Sequence, residues 1–209
     1  MNRFSFAKLG RTLLMLTAVL AVGLLGCGGD DNPNNGGGGT DTTGGNNNGG
    51  GSVPIEKWMK KNLDVLVDSS WCYDGDPANC DKYGRLYTWE AAKAACQLAG
   101  KRLPTDQEWW SLVNAAGGKN DAGGKLKARH GWNDDGNGTD NYGFSALPGG
   151  HRSYYEDSFD RAGDIGYWWT AKENGYNAAV SFMMTYNTTE AKLGVDNAGY
   201  GYSVRCVEN

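Results

Sequence analysis

The sequence predicts an α+β domain, loop-rich and disulfide-stapled, in which two short helices pack on short antiparallel strands. Three observations carry this expectation. Residues 88–118 hold two apolar patterns of helical period, each with its own start and stop signals. The last third alternates short aromatic or β-branched runs with Gly/Asn turns. Cys72, Cys80, Cys96 and Cys206 form an even set inside the aromatic-rich region.

The first helix takes Thr88 as N-cap, continues through an alanine-rich body and meets Gly100 where a left-handed terminal residue is wanted. Its buried stripe is expected to be Trp89, Ala92, Cys96 and Ala99. In the second, Thr105-Asp106-Gln107-Glu108 is a capping box, followed by Trp109, Leu112, Val113 and Ala116 at helical spacing and stopped by Gly117-Gly118. Helices of about three turns bury little alone, so they need a sheet to lie on.

The N-terminal quarter does not belong to this domain. Arg3, Lys8 and Arg11 precede the apolar run 13–25, too short for a comfortable membrane span and right for a signal-peptide core. Leu24-Leu25-Gly26-Cys27 completes it and resembles a bacterial lipobox, which implies that residues 1–26 are removed and that Cys27 carries the lipid. An uncleaved membrane anchor is the alternative, and it asks for a longer apolar run. Gly28-Gly29 lacks the Asp that retains lipoproteins at the inner membrane, which points to the outer membrane and leaves the periplasmic or cell-surface face open. Several acyl chains would hold the protein firmly where one is marginal.

Residues 27–52 then read as the lipidated Cys and a Gly/Asn tether without core-forming residues, spanning roughly 25–30 Å as a flexible coil. Losing residues 1–26 removes three positive charges and no negative ones, which takes the net charge from −4 to −7. Nucleic acid is thereby excluded as a partner, and anionic membrane surfaces become poor ones.

From residue 53 to 209 the chain contains all eight Trp and all eleven Tyr, and here the folded domain is expected. Leu63, Val65 and Val67 alternate as in a half-buried strand. Cys72 and Cys80 bound a turn-rich loop. Of three possible pairings, Cys72–Cys80 with Cys96–Cys206 is favoured, contributing about 2.5 and about 4.7 kcal/mol by chain entropy. Metal ligation by these cysteines lacks the CxxC spacing. Residues 117–150 form a long Gly/Asn/Asp loop, and strands are expected at 167–171, 178–186, 191–195 and 200–207 as an antiparallel meander.

Trp58-Met59 with Lys61-Asn62-Leu63, Tyr83-Gly84-Arg85-Leu86-Tyr87-Thr88-Trp89-Glu90, Arg102-Leu103-Pro104-Thr105-Asp106-Gln107-Glu108-Trp109, Gly131-Trp132-Asn133-Asp134 and Gly201-Tyr202-Ser203-Val204-Arg205-Cys206 carry a family likeness. Over residues 53–209 the chain resembles the Fibrobacter succinogenes major paralogous domain. That family is similar in turn to the C-type-lectin-like and formylglycine-generating-enzyme group. The resemblance implies a C-type-lectin-like fold, a lipoprotein setting and a disulfide from the first helix to the last strand. The enzyme branch of that group oxidises a substrate cysteine with a copper-bound cysteine pair. Here Cys206 is the one cysteine near the C-terminus, which speaks against that catalysis.

Two candidate ligand sites stand out. Asn133, Asp135, Asn137 and Asp140 offer several hard oxygens to Ca²⁺ within one loop, although Phe144 stands where an EF-hand has its bidentate Glu. Trp132-Asn133-Asp134 also resembles the WND of calcium-dependent lectins, without the partner EPN or QPD triplet. The adjacent pairs Trp168-Trp169 and Tyr154-Tyr155 are candidate sugar-stacking residues, because neighbours on a strand face opposite ways and one of each pair is expected at the surface. The other aromatics are assigned to the core. His130 and His151 sit in no catalytic motif, and the glycine-lysine stretches at 117–119 and 123–125 fall short of a phosphate-binding loop. The expected role is therefore extracytoplasmic recognition, adhesion or scaffolding, not catalysis, with a polysaccharide or an envelope protein as partner. An enzyme on the related fold and a purely structural envelope protein are the alternatives.

Overall fold

The two predicted helices form with their predicted caps. Thr88 Oγ1 accepts the Ala91 N–H at the start of α2 (Trp89–Leu98), and Gly100 follows it at φ +70°, where a Cβ would be strained. Trp89, Ala92 and Cys96 are buried, and Ala99 is partly buried. In α3 (Asp106–Ala115) both halves of the capping box are made. Glu108 N–H donates to Thr105 Oγ1 at 3.1 Å, and Thr105 N–H donates to the Glu108 carboxylate at 2.7 Å. Arg102 adds a two-pronged ion pair to that carboxylate at 2.6 and 2.8 Å.

This computed structural model describes residues 54–209. The signal peptide, Cys27 and the tether expected at 27–52 lie outside the described residues.

Two further helices were not foreseen. The loop between Cys72 and Cys80 contains the start of α1 (Pro77–Tyr83), with Asp76 as N-cap accepting from Ala78 N–H and Pro77 in the first turn. Proline is suited there, since its missing N–H would be unpaired in any case. The long loop holds α4 (Ala122–Leu126).

The strands fall into two sheets. β1 (Ser70–Trp71) and β2 (Leu86–Tyr87) pair antiparallel. β3 (Gly149–Arg152), β4 (Phe159–Ala162), β5 (Ile165–Glu173), β6 (Ala178–Thr185) and β7 (Ala191–Asn197) lie in the order β4-β3-β5-β6-β7. β5, β6 and β7 make the predicted antiparallel meander, while β3 joins β5 in parallel through Gly150 and Gly166.

Two expected strands are absent. Residues 63–67 are extended but unladdered, because the Tyr87 hydroxyl takes the place of a neighbouring strand. It accepts the Val65 N–H and donates to the Val65 carbonyl, both at 2.9 Å. The stretch 200–207 makes single bridges to Arg152, Tyr87, Trp168 and Arg102 in turn. It crosses between structural elements and never runs beside one partner.

Both faces of β5 are covered. On one side Trp168, Phe182 and Met184 pack against Trp58, Trp109, Leu112 and Val113. On the other, Trp169 packs with Tyr87, Trp89, Ala92, Tyr202 and Val204. Both favoured disulfides form, Cys72–Cys80 across 8 residues and Cys96–Cys206 across 110. Because the longer closed loop restricts the unfolded chain more, replacing Cys96 and Cys206 by Ala is expected to lower unfolding stability by about 4–5 kcal/mol, against about 2–3 kcal/mol for Cys72 and Cys80. Urea titration of the two double variants measures the difference.

Burial pushes the Glu108 carboxyl up, but the Arg102 hydrogen bonds and the Thr105 N–H outweigh it, so its pKa lies below the ordinary value. A carboxylate with a lower pKa folded than unfolded contributes stability above its unfolded pKa and loses it as pH falls through the folded one. Stability is therefore expected to decline as pH drops below about 4.3. Glu108→Gln, which keeps an acceptor for the cap but loses the charge, should be less stable near neutral pH and should decline less steeply in that acid range, as read by urea titration.

Candidate functional site

The described surface is richest in tyrosine along the face of the large sheet that carries Tyr167 and Trp169. Gly150 lies beside Gly166, so the next residues, His151 on β3 and Tyr167 on β5, become neighbours, and their rings meet edge to face at 5.5 Å. The crossing segment lays Tyr200 and Tyr202 over them. Tyr202 stacks on Tyr167 at 4.7 Å and on Tyr200 at 5.8 Å, and packs against Trp169 at 4.5 Å. Trp169 and Tyr202 are buried, whereas Tyr167, Tyr200 and His151 are half-buried.

The row continues outward through the β3–β4 turn. Tyr155 lies 6.2 Å from Tyr200, and Tyr154 lies 5.1 Å from Tyr155. Gly199 makes room for it, since a Cβ there would sit 2.3 Å from the Tyr154 ring. These two tyrosines are 45% and 76% exposed, so an aromatic row runs without a break from the core to solvent.

Polar groups converge on the same row. Asp196 on β7 accepts the Ser181 hydroxyl at 2.6 Å. Burial, and after it the Asp196 charge, push the Tyr167 hydroxyl above its ordinary value and the Tyr202 hydroxyl well above the usual tyrosine range, so both remain protonated donors. Burial holds His151 below its ordinary value, which keeps the imidazole neutral at neutral pH. Its Nδ1 is buried and has no hydrogen-bond partner among the described residues. The combination offers ring faces to apolar C–H surfaces and hydroxyl, imidazole and carboxylate groups to polar edges.

The predicted site residues separate on this map. Tyr154 and Tyr155 are where a ligand would reach them. Trp168 and Trp169 are not, and their assignment as surface stacking residues is corrected: both are 0% exposed. They do face opposite ways, but helices and loops cover one side of β5, and α2 with the crossing segment covers the other. Trp168 Nε1 donates to Asn62 Oδ1 and Trp169 Nε1 to the Tyr87 carbonyl, so even their polar edges face inward.

The oxygen-rich loop does not gather its donors into one shell. Asn133 Nδ2 donates to Asp164, Asn137 Oδ1 accepts the Trp132 N–H, and the Asp140 carboxylate accepts the N–H and hydroxyl of Ser145. Asp135 is exposed, in a left-handed turn with Asp134. Among the described residues no three His, Cys, Asp or Glu side chains come together as metal ligands. The cation fixed nearby is the protein's own. Buried Lys127 donates to the carbonyls of Thr185, Tyr186 and Thr188 at 3.0–3.3 Å, and its ammonium lies 5.0 Å over Trp132. Burial lowers its pKa. Cys206 is joined to Cys96, and neither sulfur residue is exposed.

The family model of the Fibrobacter succinogenes major domain matches residues 53–208. The chain belongs to this family. No curated protein and no solved structure matches it.

In this Fibrobacter succinogenes major domain the residues missed from sequence are His151, Tyr167, Asp196, Tyr200 and Tyr202. A signal was present: Tyr200 and Tyr202 are spaced by two, and so are Tyr167 and Trp169, which places each pair on one face. The role of Lys127 had no such signal, since its partners are backbone carbonyls about 60 residues away. Lys127→Met would leave those carbonyls without their shared donor, and a loss of about 1–3 kcal/mol in unfolding stability is expected. Replacing calcium by chelator should shift the melting temperature of the domain by no more than about 1 °C, because a ligand stabilises only what binds it. Calorimetry of both proteins reads the two effects.

Proposed function

We infer that this chain is a lipid-anchored recognition module of the outer membrane, held through Cys27, with a C-type-lectin-like fold that binds polysaccharide along its tyrosine row. The observation that supports the ligand is the row itself: Tyr154, Tyr155, Tyr200 and Tyr167 run from solvent to half-buried positions beside His151 and the Asp196 carboxylate. Sugar rings have apolar C–H faces and hydroxyl edges, and this surface pairs an aromatic face with both donors and acceptors. The fold reading is supported by the two capped helices on an antiparallel meander and by the bond from α2 to the last segment. The address is supported by the lipobox-like residues 24–27.

Recognition on this reading needs no metal, since Asn133, Asn137 and Asp140 of the oxygen-rich loop are bonded within their own chain and Asp135 stands apart from them, exposed. The full chain in neutral detergent is expected to be retained on insoluble polysaccharides of plant or bacterial origin, equally in calcium and in chelator. Tyr155→Ala and Tyr200→Ala should each weaken retention by about 5- to 30-fold, corresponding to about 1–2 kcal/mol for a lost aromatic contact. Near-UV circular dichroism confirms that each variant is folded. Retention unchanged in both variants would remove the tyrosine row as the binding surface. Absence of retention on every polymer would turn the reading to an envelope protein as partner, sought by crosslinking on intact cells.

A further inference from the structure

A concavity of about 590 Å³ shares no residue with the tyrosine row. Its walls are the extended residues 60–64, the C-terminal end of α1 and parts of the long loop around Ala128, His130, Ser145 and Leu147. The volume is within the range of ordinary small-molecule sites, roughly 300–1,000 Å³.

The charge around it is out of keeping with the rest of the molecule. Lys60, Lys61 and Lys82 line the cleft, are exposed, and make no ion pair among the described residues. Lys82 lies 4.6 Å over the Tyr83 ring. Two carboxylates also line the cleft. Asp64 is paired with Arg85 at 3.2 Å, which leaves Asp81 as the one without an ion pair. Three uncommitted ammonium groups thus face one uncommitted carboxylate, in a chain whose formal net charge is −4.

The floor adds to the same sign. Asn62 and Ser145 line the cleft, and behind them both bind the guanidinium of Arg205, Asn62 through Oδ1 at 2.8 Å and Ser145 through its carbonyl at 2.9 Å. Arg205 is fully buried and its direct partners are neutral oxygens; the Asp140 carboxylate, bonded to Ser145, offsets part of its charge from a distance without touching it. The wall opposite is held in place by the Cys72–Cys80 bond at the base of α1. Lysines scattered on a solvated face need no explanation, whereas three that line one pre-formed concavity give it a field that attracts anions.

We propose that this cleft binds a small anionic molecule, a phosphate or carboxylate group carried on a sugar-sized body, with the oxyanion held by Lys60, Lys61 and Lys82. Ammonium groups suit this task as mobile point charges around an oxyanion, and His130 at the rim adds a ring nitrogen for a neutral part of the ligand.

The test is calorimetric titration of the full chain, in a neutral detergent and low salt, with glucose 6-phosphate, glucuronate and inorganic phosphate, and with glucose as the uncharged comparison. At least one of the three anions should bind, more weakly as salt is raised, and glucose should not bind at this site. The Lys60→Ala/Lys61→Ala/Lys82→Ala variant should lose affinity by about tenfold or more, as removal of charge-assisted hydrogen bonds implies. Lys57→Ala, exposed and outside the cleft, should bind as the parent does. The phosphate and glucuronate arms tell which oxyanion is preferred. Equal affinity in the triple variant, binding of glucose as tight as that of its phosphate, or heat from none of the three anions would overturn the proposal. Because Tyr155→Ala leaves this cleft untouched, anion binding that persists in that variant separates this site from the tyrosine row.

Discussion

The buried guanidinium of Arg205 is the constraint on which the rest of the domain is arranged. Desolvation penalises a fully buried charge by several kcal/mol, and here no carboxylate offsets it by direct contact. Four hydrogen bonds do so instead, from Nε to Asn62, from Nη1 to the Met59 and Phe144 carbonyls and from Nη2 to the Ser145 carbonyl. The guanidinium carbon also lies 4.5 Å over the Phe144 ring. Burial lowers its pKa to about 9, which still leaves it charged at neutral pH. One side chain near the C-terminus thereby ties the segment around Met59 and Asn62 to the middle of the long loop. Asn62 extends the network by accepting from Trp168 Nε1 and donating to the Tyr83 carbonyl. Lys127 and Trp132 add further ties to the long loop through backbone carbonyls.

Around this polar centre the domain is filled with large rings. Trp109 is the meeting point of one side, with Trp58 at 4.9 Å, Phe182 stacked at 4.8 Å and Phe144 at 5.6 Å. The other side is built on Tyr87, Trp89, Trp169 and Tyr202. Each indole N–H or phenol that enters the interior needs a partner, which explains why so many carbonyls of neighbouring segments are aimed at rings: Thr170 for Trp89, Ala146 for Trp132 and Tyr87 for Trp169. Trp109 Nε1 is the exception in this set, buried without a hydrogen-bond partner among the described residues. The rings of Trp58, Phe144, Trp168 and Phe182 around it supply packing where a hydrogen bond is missing.

How far the sequence reveals this depends on how local each interaction is. The caps of α2 and α3 were legible because donor and acceptor lie within three residues of each other. So was the meander, whose period-two runs are bounded by Asn and Gly. The Asp76-Pro77 start of α1 was equally local, but the surrounding cysteines and glycine read as a turn-rich loop. The missing strands have another cause. Residues 63–67 alternate as a strand should, yet their partner is a tyrosine hydroxyl, which periodicity cannot show. For the proposed ligand surface, Tyr154 and Tyr155 were read as strand neighbours with one of them exposed, whereas both are exposed because they lie in the turn between β3 and β4. Trp168 and Trp169 were misplaced because alternation predicts opposite faces, whereas exposure depends on what covers each face. That is decided by α2, α3 and the crossing segment, all distant in sequence.

The crossing segment is where stability and the proposed recognition share the same backbone. Its residues alternate in their duties. Tyr202, Val204 and Cys206 turn toward the cluster around Trp169, while Arg205 turns the other way into the polar centre. The Cys96 bond fixes its end, and the Tyr87 and Arg152 backbones fix its middle through paired hydrogen bonds at 2.8–3.0 Å. Tyr200 and Tyr202 are therefore delivered to the sheet face by a strip of chain with little freedom left. A ligand that stacks there orders few side chains on arrival, and less of its interaction energy is lost to entropy than on a flexible loop. Tyr155 lies on a turn held by a shorter set of contacts, the Ser153 hydroxyl accepting the Tyr155 and Glu156 N–H groups. The row thus grades from rigid at Tyr202 to adaptable at Tyr155, an order that suits a polymer whose units must first be captured and then seated.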